Sequence, residues 1–277
     1  MGKEYNGVIQ LKLHFNLFPG GKPKALTMSY DDGQKHDVRL AGIFDKYGIK
    51  GTFHLNSSTL NTPGFLSDDD VRGIARHHEI SAHSVTHPFL DTLPLPMVIN
   101  ELLEDRRRLE TLVDYPVRGM SYPYGVYSRA IIPPLQSVGI EYSRTVISTR
   151  QFDVPPDFME WHPTCHHNED MDQVWEQFTT RPSLQKFSLC YIWGHSYEFE
   201  QDNNWELIES FCRKAGGHPD IWYATNLEIM DYVTAVRSLK MSADHTVIRN
   251  PSATGVWVSV DNKPVCIDGG STYYYKN

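Results

Sequence analysis

The sequence predicts an α/β protein whose parallel strands curl toward a barrel, and two observations lead there. Seven short runs of apolar or β-branched residues, at 25–29, 51–55, 79–82, 117–121, 140–143, 187–193 and 221–224, alternate with segments of helical spacing. Parallel strands need such crossovers, and a helix is the usual crossover. The second observation is where polar residues fall. Asp31 and Asp32 follow the first run, His83 the third, Pro123 and Tyr124 the fourth, and His195 the sixth. Strand ends from four runs meet at one point when a sheet curls toward closure, so a barrel of about seven strands is expected, below the eight of the standard form.

The helical segments follow from their spacing. In DVRLAGIFDKYG, the residues Val38, Leu40, Ile43, Phe44 and Tyr47 make one apolar stripe, and Gly48 is a helix stop. SDDDVRGIARHH, PMVINELLEDRRRLETLV, MDQVWEQFTT and NNWELIESFCRKAGG read the same way, and SRAIIPPLQSVG does so with a double proline that bends or delays its start. A last helix, TNLEIMDYVTAVRSL, is opened by Thr225 or Asn226 as cap. From Ser242 onward the runs are short, alternating and broken by Pro, Gly and Asp-Asn, which is a β-hairpin pattern. The alternation in VIQLKLHFNLF, residues 8–18, makes it a candidate partner strand. With no internal repeat or long linker, residues 1–240 are expected to form the barrel domain and 241–277 a β appendage packed on it.

Composition excludes several function classes. At 277 residues, 40% hydrophobic and 22% charged, the chain can bury a sizeable core. A formal net charge of −8 argues against a general nucleic-acid binder. The one basic run, Arg106 to Arg108, lies among acidic neighbours and reads as a solvated helix face. No stretch reaches the roughly 18 apolar residues of a membrane span. The first residues alternate and contain no signal-type apolar region, so a cytoplasmic location is expected, although the mature part of an exported protein would look alike. Cys165, Cys190, Cys212 and Cys266 lack CxxC spacing, and reduced thiols are expected.

Three segments carry residues suited to a divalent metal and the acid–base chemistry around one: Asp31-Asp32-Gly33, His83 with His87, and His195. A carboxylate and two neutral imidazoles give three ligands and leave a position for water, the pattern of a hydrolytic site. Each piece also has a plain reading. Asp-Asp-Gly is an ordinary turn, His pairs four apart occur by chance among 13 histidines, and a His beside Gly194 can be satisfied by a carbonyl.

Taken together, YDDG, HSVTH, YPYG and WGH resemble in order and spacing the motifs of the polysaccharide deacetylases of the NodB homology type, carbohydrate esterase family 4. The resemblance runs from about Leu26 to Leu239. It implies a distorted (β/α)7 barrel and metal-dependent removal of acetyl groups from a carbohydrate, as N-acetyl amide or O-acetyl ester. By position, Asp31 is the implied general base; Asp32, His83 and His87 are the implied ligands of one divalent ion, zinc first and cobalt or nickel also suited. Tyr124 is implied to give its backbone N–H to the oxyanion, and His195 to be the general acid. Tyr122, Trp161 and Trp193 are aromatic candidates for the sugar surface, the acetylated saccharide being the expected partner.

Two departures stand out. Where the family has an Arg before its Pro-Tyr, this chain has Ser121, and Arg118 or Arg144 are the candidates to replace it. The family's Asp and Trp motif has Trp161 as its nearest counterpart, and His162, His166 and His167 near it either line the pocket or are loop residues. Two other readings stay open: hydrolysis of a non-peptide C–N bond in a small cytoplasmic metabolite, and a catalytically weak carbohydrate-binding relative.

Overall fold

A computed structural model describes residues 12–182 and 186–275. Strand β1 (Leu13–His14) precedes β2 (Lys24–Asp31), α1 (Asp37–Tyr47), β3 (Gly51–Leu55), α2 (Asp68–Ile74) and β4 (Glu79–Ala82). Then come α3 (Leu95–Glu110), β5 (Gly119–Ser121), α4 (Ile132–Ser137), β6 (Tyr142–Arg144) and β7 (Cys165–His166). The barrel part ends with α5 (Met171–Thr180), β8 (Ser188–Gly194), α6 (Ser196–Gln201), α7 (Trp205–Ala215), β9 (Ile221–Tyr223) and α8 (Asn226–Arg237).

The main sheet runs β6-β5-β4-β3-β2-β8-β7 with every pair parallel. Its two edges are joined by one segment. Trp161 N–H donates to the Ser143 carbonyl at 3.1 Å and the Trp161 carbonyl accepts from Thr145 at 3.0 Å, while Cys165 and His166 pair with Ile192 and Trp193 of β8. Residues 161–166 therefore complete a ring of seven strands, and the fold is a distorted (β/α)7 barrel. The sequence pointed to 221–224 as the seventh strand. Instead β9 lies beside Lys24–Leu26, the first half of β2, on the edge whose second half is taken by β3. The true closing segment, Trp-His-Pro-Thr-Cys-His, was hidden by its proline and polar residues.

Most strands of the ring are buried along their whole length, which is why they read as continuous apolar runs rather than alternating ones. Leu40, Ala41, Ile43 and Phe44 of α1 pack into the core under a Gly48 stop with φ 67°, whereas Val38 is exposed and lies off the stripe. Thr225 caps α8, paired with Glu228 in a capping box. The basic run on α3 is only partly a solvated face. Arg106 binds the Val138 carbonyl and Glu110, and Arg108 pairs with Asp68 at 2.5 Å, fastening α3 to its neighbours.

The C-terminal β pieces are β10 (Lys240–Met241), β11 (Val247–Arg249), β12 (Val256–Val260), β13 (Lys263–Ile267) and β14 (Thr272–Tyr274). Asp261 and Asn262, with φ of 49° and 63°, turn β12 into β13 as a two-residue hairpin. Leu13 and His14 add to β12, while the expected strand residues 8–11 lie outside the described residues. Val256, Val258 and Ile267 share an apolar cluster with Phe18, Leu189, Tyr191 and Val233. All four cysteines are free, Cys266 alone being exposed. Among the described residues no helix is long and apolar enough to cross a membrane.

Candidate active site

The carboxyl ends of β2, β4, β5, β6 and β8 converge on a cavity of about 480 Å³, bordered by Asp31, Asp32, His83, His87, Trp193 and His195. Asp31 ends β2 and Asp32 follows with φ 81°, so the backbone reverses between them. Asp31 is thereby buried, and Asp32 is left partly open at the cavity.

Two hydroxyl and guanidinium partners fix Asp31. Ser121 Oγ donates to its Oδ1 at 3.0 Å, and Arg144, fully buried, forms an ion pair with its Oδ2. Burial alone would raise the Asp31 pKa. The Arg144 guanidinium reverses this and holds the carboxyl well below the usual range. Arg144 is kept in place by the Thr145 carbonyl at 3.0 Å and by the Trp193 ring, 4.4 Å from its centroid. Arg118, the other candidate, faces away and pairs with Glu141 and Asp231. The guanidinium missing at Ser121 is thus supplied by the next strand of the sheet.

His83 Nε2 and His87 Nε2 stand 3.6 Å and 3.7 Å from Asp32 Oδ1. Those separations exceed a hydrogen bond but suit three donors around one ion, which with bonds of 2.0–2.2 Å lie roughly 3.4 Å apart. The His83 ring is set for this. Its Nδ1 lies 2.9 Å from the Ser121 carbonyl and 2.7 Å from Ser121 Oγ, so Nδ1 carries the proton and Nε2 offers its lone pair. Burial lowers the His83 pKa and keeps it neutral. His87 has φ 57° and its N–H donates to Ser84 Oγ at 3.1 Å, a left-handed turn that brings both imidazoles to one side.

Two supports were not foreseen. Asp105 of α3 accepts from the backbone N–H of Ser57 at 2.8 Å and of His83 at 3.0 Å, and burial pushes its pKa up to about 7. Asn56 donates to the carbonyls of His83 and Ser84 at 2.6 Å and 3.0 Å. Neither residue has a sequence signal, because each acts on backbone across the fold.

His195 stands at the residue before α6 without a side-chain capping bond, and its Nδ1 lies 3.1 Å from Glu198 Oε1. Burial would lower its pKa, but the bond to Glu198 and the charges of Asp31 and Asp32 outweigh that and raise it. Glu198 was also missed, although its place three residues after a histidine at a helix start was a readable cue. Gly194 is needed here, since a Cβ would fall 1.9 Å from His167 Nδ1.

The aromatic candidates divide. Trp193 borders the cavity over Arg144, and Tyr124, half exposed with φ 58°, stacks on Phe89 at 4.0 Å and meets His87 edge-on at 4.4 Å. Trp161 does not face the site: it is 1% exposed, sealed against Tyr142, Phe158 and Tyr191, and no sugar ring can stack on it. Tyr122 borders the cavity but is fully buried, its hydroxyl donating to the Met159 carbonyl at 2.9 Å, so it backs the wall rather than offering a face. His162 Nδ1 is 2.6 Å from Thr145 Oγ1, and His166 and His167 gather at Glu198.

Residues 19–143 match the family model described as polysaccharide deacetylase. Two curated relatives match part of the chain. One is YxkH of Bacillus subtilis (strain 168), provisionally named a polysaccharide deacetylase, 21% identical over 44% of this chain and 44% of its own. The other, from Arthroderma benhamiae, is provisionally named a peptidoglycan-N-acetylglucosamine deacetylase and is 25% identical over 46% of this chain and 30% of its own. The matched stretch thus spans less than half of either relative. Among solved structures, one from Mycobacterium smegmatis, provisionally named a polysaccharide deacetylase, aligns with a TM-score of 0.60 at 17% identity, covering 79% of this chain and 93% of that one. A family 4 carbohydrate esterase from Streptomyces lividans, solved with acetate, aligns at 0.50 and 13% identity, covering 73% and 93%.

Proposed function

We propose that this chain is a polysaccharide deacetylase of carbohydrate esterase family 4, a hydrolase that removes acetyl groups from a carbohydrate, with an N-acetyl amide as preferred substrate. The observation that carries this reading is the division of labour around one cavity: an ionised Asp31 and the Asp32–His83–His87 triad, with a His195 whose pKa is raised by Glu198. A base held ionised and an acid whose proton is bound more firmly than usual, at one site, are what hydrolysis of an amide needs.

Asp32, His83 and His87 would hold a divalent ion, zinc first among candidates. Such an ion supplies Lewis acidity for the acetyl carbonyl and for water. Asp31, its charge kept by Arg144, accepts the proton of the attacking water as that oxygen bonds to the acetyl carbon. The backbone N–H of Tyr124 is assigned to the carbonyl oxygen, whose charge grows in the transition state. His195 gives its proton to the departing nitrogen as the C–N bond breaks, leaving acetate and a free amine. An amide requires that proton far more than an ester, because an amine anion cannot leave.

Acetate release from N-acetylglucosamine oligomers tests the reading. Chelation should stop release and added zinc or cobalt restore it, with Ala at His83 abolishing both activity and stoichiometric metal. Asp31→Ala and His195→Ala should keep the metal and lose roughly 10²- to 10⁴-fold in turnover. Metal-loaded protein that frees no acetate from any N- or O-acetylated saccharide would refute it.

A further inference from the structure

Glu198 does more than meet His195. Its Oε1 takes His195 Nδ1, while its Oε2 lies 3.3 Å from His166 Nε2 and 2.8 Å from His167 Nε2. A carboxylate ringed by two further imidazoles has the donor types of a cation site. The tautomer of His166 decides against that use. Asn168 N–H donates into His166 Nδ1 at 3.2 Å, so the ring proton sits on Nε2, where a metal would need the lone pair. The same proton serves Glu198 well.

The His167 ring is clamped. It is fully buried, stacked on Phe199 at 4.2 Å and on Tyr30 at 5.7 Å, with Gly194 leaving room at its edge. A clamped ring cannot follow a moving carboxylate, so the carboxylate must come to it. Glu198 is held from behind by donors that never reach the cavity, and its other oxygen is left to set His195.

We infer that His167, assisted by His166, is a positioning residue of the general acid: through Glu198 it fixes the His195 ring and limits the negative charge that His195 feels. This rests on His195 being the acid. The Nε2 edges of His167 and His166, set 2.8 Å and 3.3 Å from Oε2 as close polar contacts rather than aligned hydrogen bonds, draw charge from the carboxylate when they carry the ring proton and make it a weaker partner for the His195 proton. His195 then keeps enough attraction to stay charged and little enough to release its proton. The other groups facing His195 are Asp31 and Asp32 at the end of β2, Asp37 on α1, His166 from β7 and Tyr197 on α6. Of these, only His166 touches the 167 ring, at 4.4 Å between centroids, and His166→Leu tests it separately.

The test is His167→Phe in the full chain, which keeps the stack and removes the polar ring edge from Glu198. On an N-acetyl oligosaccharide, kcat should fall roughly three- to tenfold with KM and bound metal unchanged. The alkaline limb of kcat/KM should move to higher pH, because a less shared Glu198 holds the His195 proton more tightly. An aryl acetate, whose leaving group needs little protonation, should be hydrolysed at the wild-type rate. His167→Gln, which restores a donor, should return the limb toward its original place, and His166→Leu at the more open edge should repeat the shift on a smaller scale if the phenylalanine variant does not fold. An unmoved or lowered limb, equal losses on both substrates, or a second bound zinc lost in His166→Leu would overturn the inference. Failure of the acid role itself shows separately, as equal losses on both substrates in His195→Ala.

Discussion

Asp31 and Glu79 are carboxylates sunk in the same parallel sheet, one at the carboxyl end of β2 and one at the amino end of β4, and burial treats them oppositely. Glu79 accepts only from neutral donors: Thr52 Oγ1 at 2.9 Å, Tyr142 Oη at 2.6 Å and Leu227 N–H at 2.9 Å. Desolvation wins there and pushes its pKa up to about 7. Asp31 is as deeply buried but faces the Arg144 guanidinium, and it stays ionised. Hydrogen bonds alone do not keep a buried carboxylate charged; a full opposite charge does. The end of the sheet that carries the cavity is the end where that charge is provided.

Removing the charge should produce the largest effect. Arg144→Met makes the Asp31 site resemble that of Glu79 and leaves a buried carboxylate with Ser121 alone. Kinetics with metal-loaded protein should show kcat/KM down roughly 10²- to 10⁴-fold with the metal retained. Urea unfolding at neutral pH should show a loss of about 3–5 kcal/mol, the usual cost of stripping one partner from a buried pair. Arg144→Lys should recover part of both losses, since it restores a point charge without the planar fork. A variant with wild-type kinetics would mean that Asp31 does not depend on Arg144.

That pairing also marks how much was legible in the sequence. Strand positions were readable because a doubly covered parallel strand is an unbroken apolar run, as in β2 and β8. The positions of Asp32, His83 and His195 at one end of the sheet were readable because each directly follows its strand, while His87 is brought to them by the loop after β4. Arg144 was one of two candidates, and only the fold chooses between strands that lie side by side. Trp161 was misread, because a tryptophan in a polar segment looks like a pocket wall when it is in fact the hinge of barrel closure. Asp105 and Asn56 left no trace, since a carboxylate on a charged helix and a loop amide acquire meaning only once the backbone of His83 lies against them.

Glu79→Gln probes the other member of the comparison. A carboxyl whose folded pKa is raised stabilises the fold most below its unfolded pKa and loses that contribution as pH rises through the folded value. For Glu79 the window runs from about 4.5 to about 7. Wild type should therefore lose, relative to the glutamine variant, on the order of 3 kcal/mol between the two ends of this window. Urea unfolding of both proteins at several pH values measures the difference in slope, and Asp105, present in both, cancels. Parallel curves would show that Glu79 titrates as an ordinary exposed acid.

Glu198 lies between the two cases, partly open and surrounded by imidazoles instead of a guanidinium. Burial would raise its pKa, but the bonds from His166, His167 and His195 lower it well below the usual range, so it is a carboxylate at every working pH. Its charge is what lifts His195 against that residue's own burial. Glu198→Gln keeps an acceptor for the His195 proton and removes the charge, and burial should then pull the His195 pKa down. The alkaline limb of kcat/KM moves to lower pH, with a loss of roughly tenfold on that limb and little change below it. The direction is opposite to that expected for His167→Phe, which leaves the charge in place and shares it less. One substitution on the carboxylate and one on its neighbour, with opposite displacements of the same limb, separate charge from positioning, and displacements of the same sign would mean that the ring of histidines acts on His195 only by holding the fold together.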